Sequence, residues 1–346
     1  MVTVLHPDES RRPLRVLKGV MLKTLKPIAK FFNSVLNLSD GGGIMSDGES
    51  LTLWFASWQS EARMTLIKVK PVYVCFSRYQ RIEVYDSSVF GRLLVLNGEI
   101  QLSSKFNAYI HESMVHPSLL LHPNPKDVLI VGGGDGGSTT EVVKHNVESV
   151  TVVEIDEEVV KTAKRYFPEI SAGFSDPRVK LIFDDGRAFL EKCSQKFDVI
   201  INDMSDPVGP AKSVFTKEFF ILVREHLSDG GIFTTHVESP DSCEEFFYRV
   251  LATMREVFPI VRPYRVWTPP YTDYWGRAIA SIRYDPLKLA SQEVEERVKR
   301  RGITLKWLTP ELYHSIFRSL SRDVLEKMEM SWEPITETNF PEFKRT

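Results

Sequence analysis

Between Leu51 and Ile100 apolar residues fall in short runs: Leu51–Phe55, Thr65–Val69, Gln80–Tyr85 and Arg92–Leu96, with Asn97-Gly98 after the last. Such runs fit β-strands, and Asn-Gly supplies the turn chemistry of a hairpin. Residues 45–108 are therefore expected to form a small antiparallel β domain. A helical run from Tyr109 to Leu121 follows, and at Pro123-Asn124-Pro125 the pattern changes. Continuous apolar runs at Val128–Val131, Ser149–Val153, Val179–Phe183, Val199–Asn202 and Gly231–Thr235 now alternate with helical stretches, and Val261–Val266 and Ala278–Ile282 are further strand candidates. Strands apolar on both faces imply a parallel sheet covered by helices. The predicted class is α/β, with residues 109–346 forming the larger domain and its C-terminal helices.

Ahead of these lies a different pattern. From Leu14 to Leu38 apolar residues recur at helical spacing, with Arg15, Lys18, Lys23, Lys26 and Lys30 between them. Residues 1–44 read as a basic amphipathic extension, either a helix on a membrane surface or one packed on protein. Pro27 would kink it in either case. Gly41-Gly42-Gly43 breaks the chain just before Met45, a candidate start. No apolar run is long enough to span a bilayer.

Composition narrows the classes. The 346 residues are 42% hydrophobic and 26% charged, with a formal net charge of -2. That balance suits a globular protein and offers no global field for nucleic acid. Cys75, Cys193 and Cys243 are scattered without ligand-like spacing. They read as reduced thiols of a cytoplasmic protein, not as a disulfide frame or a zinc site.

Ligands of such a sheet sit beyond the carboxyl ends of its strands. The first large-domain strand ends in Gly132-Gly133-Gly134-Asp135-Gly136-Gly137. A loop built for phosphate would not carry a carboxylate at its centre, so Asp135 expects a cation. Glu154, about 20 positions beyond the loop, suits ribose hydroxyls. The third strand ends in Asp184-Asp185-Gly186, a candidate adenine contact, and the fourth in Asn202-Asp203-Met204-Ser205-Asp206-Pro207. Glu238 follows the fifth. Singly each carboxylate reads as a cap or a solvated residue. Together Asp135, Glu154, Asp185, Asp203, Asp206 and Glu238 suit a hard metal or a polycationic substrate.

In combination, Gly132–Gly137, Glu154-Ile155-Asp156 and Asp203–Pro210 resemble spermidine synthases and related polyamine aminopropyltransferases. So do Tyr79-Gln80, Leu94–Gln101, His111-Glu112 and His122–Val131. The likeness covers about Tyr79 to Tyr284. It implies a Rossmann-like, methyltransferase-type parallel sheet behind a small N-terminal antiparallel β domain. It implies transfer of the aminopropyl group of decarboxylated S-adenosylmethionine, a co-substrate, to a polyamine, with methylthioadenosine released and neither cofactor nor metal. By this resemblance Asp203 takes the proton of the attacking amine, and Asp206 and Glu238 anchor the acceptor. Asp135 holds the aminopropyl ammonium. Gln80, Glu154, Asp185 and Gly186 hold the adenosyl part, with Pro210 lining it and His111 near the amine. A homodimer or homotetramer is implied as well. Asp135 also argues from charge against ordinary S-adenosylmethionine, whose carboxylate it would repel. An amine N-methyltransferase and a non-catalytic polyamine-binding protein are the alternatives.

The chain departs from the family at one place near the amine and at one near the adenine. In Phe106-Asn107-Ala108-Tyr109-Ile110-His111 the tyrosine stands one position early, and one helical position is about a 100° rotation. Asp184 also stands where relatives usually have glycine. The segment Pro269–Gly276, with Tyr271 as a candidate contact, looks more like the thermospermine-synthase branch, and Tyr313–Val324 and Ile335–Asn339 point weakly the same way. A triamine such as spermidine is therefore expected as acceptor at least as readily as putrescine or agmatine.

Overall fold

The computed structural model describes residues 43–46, 51–60 and 63–343. The amphipathic run Leu14–Leu38 lies outside the described residues. Two compact units divide the chain, residues 1–54 and 55–346. In the first, β1 (Gly43–Ser46) runs antiparallel to the opening of β2 (Leu51–Ser60).

In the second unit, β2 continues into a sheet whose strands are hydrogen-bonded in chain order: β3 (Arg63–Phe76), β4 (Arg81–Ser87), β5 (Gly91–Leu96) and β6 (Glu99–Ser103). The β5–β6 turn uses positive φ at both Asn97 (51°) and Gly98 (87°), as a two-residue hairpin demands. The Asn97 side chain accepts the Arg81 amide at 3.0 Å, which fastens the turn to β4. The alternating residues Ile82, Val84, Leu94 and Leu102 bury one face of this sheet against Val159, Phe167 and Ile170.

The larger sheet has seven strands. They are β7 (Asp127–Gly132), β8 (Ser149–Glu154), β9 (Val179–Phe183), β10 (Phe197–Asp203), β11 (Leu227–Glu238), β12 (Ile260–Thr268) and β13 (Asp273–Ser281). Their order is β12-β13-β11-β10-β7-β8-β9. β7 to β11 are parallel, with right-handed crossovers expected of such units. β12 and β13 close one edge as an antiparallel hairpin, so the sheet is mixed. Both faces are buried, which is why the parallel strands read as unbroken apolar runs.

Helix α1 (Asn107–Leu121) connects the two sheets and is buried from Ile110 onward. Its polar groups find partners in the C-terminal part of the chain. The Glu112 carboxylate accepts the backbone N–H groups of Lys306 (2.7 Å), Trp307 (2.8 Å) and Leu308 (3.0 Å). At the helix end, Arg297 donates to the carbonyls of Leu120 and Leu121 and Arg301 to those of Leu119, His122 and Pro123. Both arginines belong to a later helix, Ser291–Arg301, and they satisfy carbonyls that the end of α1 leaves open.

Glu112→Ala strands three backbone donors at once. It is expected to lower the unfolding free energy by about 3–5 kcal/mol, seen as an earlier urea midpoint at unchanged slope.

Candidate active site

The switch point of the sheet lies between β7 and β10, whose connections lead to β8 on one side and β11 on the other. A cleft opens there, beyond the carboxyl ends of the strands. The glycine loop after β7 lies against Asp203 at the end of β10: the Gly133 amide donates to the Asp203 carbonyl at 2.8 Å. Gly132 has φ +81°, and a Cβ there would stand 2.4 Å from that carbonyl oxygen. At Gly137 a Cβ would stand 2.2 Å from His111 Cε1. These two glycines are absences of side chain that let the loop press against its neighbours.

His111 projects from α1 into this loop. Its Nε2 lies 3.1 Å from Asp135 Oδ2, and its Nδ1 lies 2.5 Å from Asn107 Oδ1, one turn earlier on the helix. Asp135 Oδ1 accepts the Gly137 amide at 2.8 Å. Burial of His111 disfavours its charged form, but the charge and hydrogen bond of Asp135 outweigh that and raise its pKa. Burial likewise acts against the Asp135 carboxylate, and the facing imidazolium reverses this, so its pKa falls. Asp203 goes the other way. Burial raises its pKa, the like charge of Asp135 adds to it, and His111 only partly compensates. Among the described residues, ligand atoms of His111, Asp135 and Asp203 lie within 4.8 Å of one another. Such a cluster offers a cation two carboxylates of different basicity.

On the β8 side stands Glu154, which accepts the Asp156 amide at 2.8 Å and whose pKa burial raises to about 7. Gln80, from the loop between β3 and β4, donates to Asp156 Oδ2 at 2.9 Å, and Ser77 Oγ donates to the same oxygen at 2.6 Å. Asp156 thus fastens that loop over the Glu154 end of the cleft. On the β11–β13 side, Tyr271 donates its hydroxyl to the Gln101 carbonyl at 2.8 Å and meets Trp275 edge to face at 5.0 Å. Burial raises its pKa and keeps the phenol neutral. Asp273 is held by Arg63 at 2.7 Å and by Ser242 Oγ at 2.6 Å.

Of the residues expected at the site, the cleft brings together Gln80, His111, Asp135, Glu154, Asp203, Asp206 and Tyr271. The other four stand outside its lining. Asp185 caps helix Gly186–Lys192, accepting the amides of Arg187 and Ala188 at 3.0 and 2.9 Å, and Gly186 opens that helix. Pro210 sits in the short 3-10 turn Gly209–Phe215. Glu238 is fully buried at φ +64°, with His236 Nδ1 at 3.2 Å. Ile110 lines the cleft, whereas Tyr109 packs on Phe106 and Trp307, as a rotation of one helical position requires.

Residues 107–284 match the spermine/spermidine synthase domain, and residues 53–104 match the spermidine synthase tetramerisation domain. This chain belongs to the spermine/spermidine synthase family. A polyamine aminopropyltransferase of Thermoanaerobacter sp. (strain X514) is 39% identical over 270 residues, spanning 77% of this chain and 95% of that relative. Polyamine aminopropyltransferase 2 of Hyperthermus butylicus is 40% identical over 251 residues, spanning 71% and 82%. A spermidine synthase crystallised with the transition-state analogue AdoDATO aligns with a TM-score of 0.74 at 31% identity, over 80% of this chain and 94% of that one. The spermidine synthase of Thermotoga maritima gives 0.72 at 30%, over 80% and 93%. The chain is thus a transferase of the polyamine aminopropyltransferase type, with the spermidine synthase fold.

Three residues of this family member escaped sequence reading. His236 and Arg277 line the cleft from β11 and β13, and Arg63 neutralises Asp273. A signal existed for Arg277: it is a lone charge opening the apolar strand segment Ala278-Ile279-Ala280.

Because the folded pKa of His111 is raised, the folded chain holds a proton above about pH 6.5 that the unfolded chain has lost. Its contribution to stability is complete below that pH and disappears as pH rises through the folded value. In Asp135→Asn, burial gains the upper hand, and the His111 titration followed by NMR should shift to lower pH, with this slope of stability against pH reduced.

Proposed function

We propose that Asp203 is the base for aminopropyl transfer from decarboxylated S-adenosylmethionine to a di- or triamine. The observation that carries this reading is the carboxylate of Asp135 at the heart of the glycine loop, anchored to the Gly137 amide and His111 and beside Asp203. A loop of this shape would hold phosphate were it not for that charge. With it, and with Asp203 and Asp206 lining the same cleft, carboxylates outnumber the His111 charge, which suits the ammonium of the decarboxylated donor and repels the carboxylate of ordinary S-adenosylmethionine.

Glu154 and Gln80 would hold the adenosyl part, at one end of the cleft. The acceptor enters from the β11–β13 side, with Asp206 and Tyr271 beside it. Its nitrogen lone pair attacks the methylene carbon next to sulfur. The carbon–sulfur bond breaks, its electron pair stays on sulfur, and neutral methylthioadenosine leaves. The acceptor nitrogen gives its proton to Asp203, whose burial-raised pKa favours receiving it. Alignment of the two substrates across one cleft supplies much of the remaining acceleration. Asp185, Gly186, Pro210 and Glu238 are assigned supporting places around these ligands on the strength of family resemblance.

The match of residues 53–104 to a tetramerisation domain supports a homotetramer or homodimer built through that sheet. Cys75, Cys193 and Cys243 form no disulfide, which supports a reducing, cytoplasmic setting. Among the described residues no helix is long and apolar enough to cross a membrane.

Purified protein given decarboxylated S-adenosylmethionine and putrescine, agmatine, cadaverine or spermidine should release methylthioadenosine and an amine heavier by one aminopropyl unit. Asp203→Asn should lower kcat by about 10²–10⁴-fold while leaving methylthioadenosine binding in place. Methyl transfer from ordinary S-adenosylmethionine, with no aminopropyl product, would overturn the assignment.

A further inference from the structure

The acceptor end of the cleft contains a cation that the reaction does not call for. Among the described residues lining the cleft, Arg277 is the only lysine or arginine. It is 1% exposed. Its Nη2 donates to the Ile110 carbonyl at 3.2 Å, and Nε and Nη1 have no hydrogen-bond partner among the described residues. The side chain reaches the cleft from β13, paired in the sheet with His236 on β11 and Tyr264 on β12. That is two strands to one side of Asp203, while Glu154 is two strands to the other. Arg277 therefore belongs to the half of the cleft away from the adenosyl end.

Asp203 acts on the Arg277 charge across the cleft, but no carboxylate forms a direct ion pair with it among the described residues. Arg63 and Ser242 already occupy the carboxylate of Asp273, which lines the same cleft. The neighbouring phenols stay neutral, since burial raises the pKa of both Tyr271 and Tyr264. A guanidinium remains protonated at any working pH. A buried positive charge without an ion-pair partner is felt strongly by any ion that enters beside it.

We propose that Arg277 is a specificity-determining residue that rejects a second ammonium in the acceptor tail. This rests on the aminopropyl-transfer reading above. An acceptor places its nucleophilic nitrogen at Asp203 and one further ammonium near Asp206. A longer amine extends another ammonium toward the guanidinium, and like charges in a water-poor cleft discriminate against it. The aromatic pair Tyr271 and Trp275 offers faces to such a tail, which is why the segment Pro269–Gly276 suggested a triamine acceptor, but the Arg277 cation beside them reverses that expectation.

The test compares kcat/KM for putrescine, spermidine and mono-acetylated spermidine, the last having the length of a triamine with one charge fewer. The wild-type enzyme should favour putrescine over spermidine by about tenfold or more, and acetylation should recover most of that loss. Arg277→Gln should shrink the putrescine preference about tenfold by improving spermidine, while Arg277→Lys keeps it. Equal use of putrescine and spermidine by the wild type, or no benefit from acetylation, overturns the proposal. So does a parallel loss for both amines in Arg277→Gln. Calorimetric binding of the same three amines to enzyme saturated with methylthioadenosine should follow the same order of preference without turnover. If no amine yields methylthioadenosine, the transferase reading fails, whereas the calorimetric order still decides the role of Arg277.

Discussion

The contact between His111 and Asp135 is the constraint around which the second unit is arranged. It joins a helix from one side of the sheet to a loop at its switch point, and it does so with a buried imidazole and a carboxylate that keeps only a small exposed surface. Burial works against the charged form of each, and each offsets that for the other, so the pKa of His111 is raised and that of Asp135 lowered. The contact also sets geometric demands on what surrounds it. The loop must lack a side chain at Gly137, Asn107 must receive the other imidazole nitrogen, and α1 must neither slide nor turn. Glu112 and His116 on the same helix meet that last demand. Glu112 takes three amides of the C-terminal region, and His116 bonds Glu141 at 2.9 Å on the short helix that leaves the glycine loop.

Much of this architecture was legible in the chain itself. The strand runs after Pro125 are apolar on both faces, so their parallel, covered arrangement follows from patterning alone. The hairpin at Asn97-Gly98 was equally plain, since few other pairs accept positive φ twice. The reversed direction of β13, which runs antiparallel to both β11 and β12, was not legible. Its apolar run resembles those of the parallel strands, and direction depends on the short 3-10 turn at Pro269–Tyr271, not on hydrophobic period.

The site divides along similar lines. Residues that end a strand or sit in the glycine loop could be found because topology places them, and Asp135, Glu154 and Asp203 are of that kind. Asp185 follows a strand too, and its Oδ1 caps the helix it begins, while family resemblance proposes a ligand contact for the same carboxylate. A cap and a ligand contact share one sequence signature, and only geometry separates them. His236 and Arg277 escaped notice for a different reason. They lie within strands, where a polar residue reads as a fault in an apolar run until the register of β11 with β13 shows both facing one cleft.

The order of strands has a consequence for how this enzyme family diversifies. On the reading proposed above, groups for the nucleoside stand on β8 and the loop before β4, and groups for the amine on the β11 and β13 side, with β7 and β10 between them. Among the described residues so assigned, no single element serves both ends. Mutation of the β13 region can therefore explore new amines while the nucleoside half is inherited intact. A lineage built on this plan is free to change what it modifies without relearning what it modifies it with.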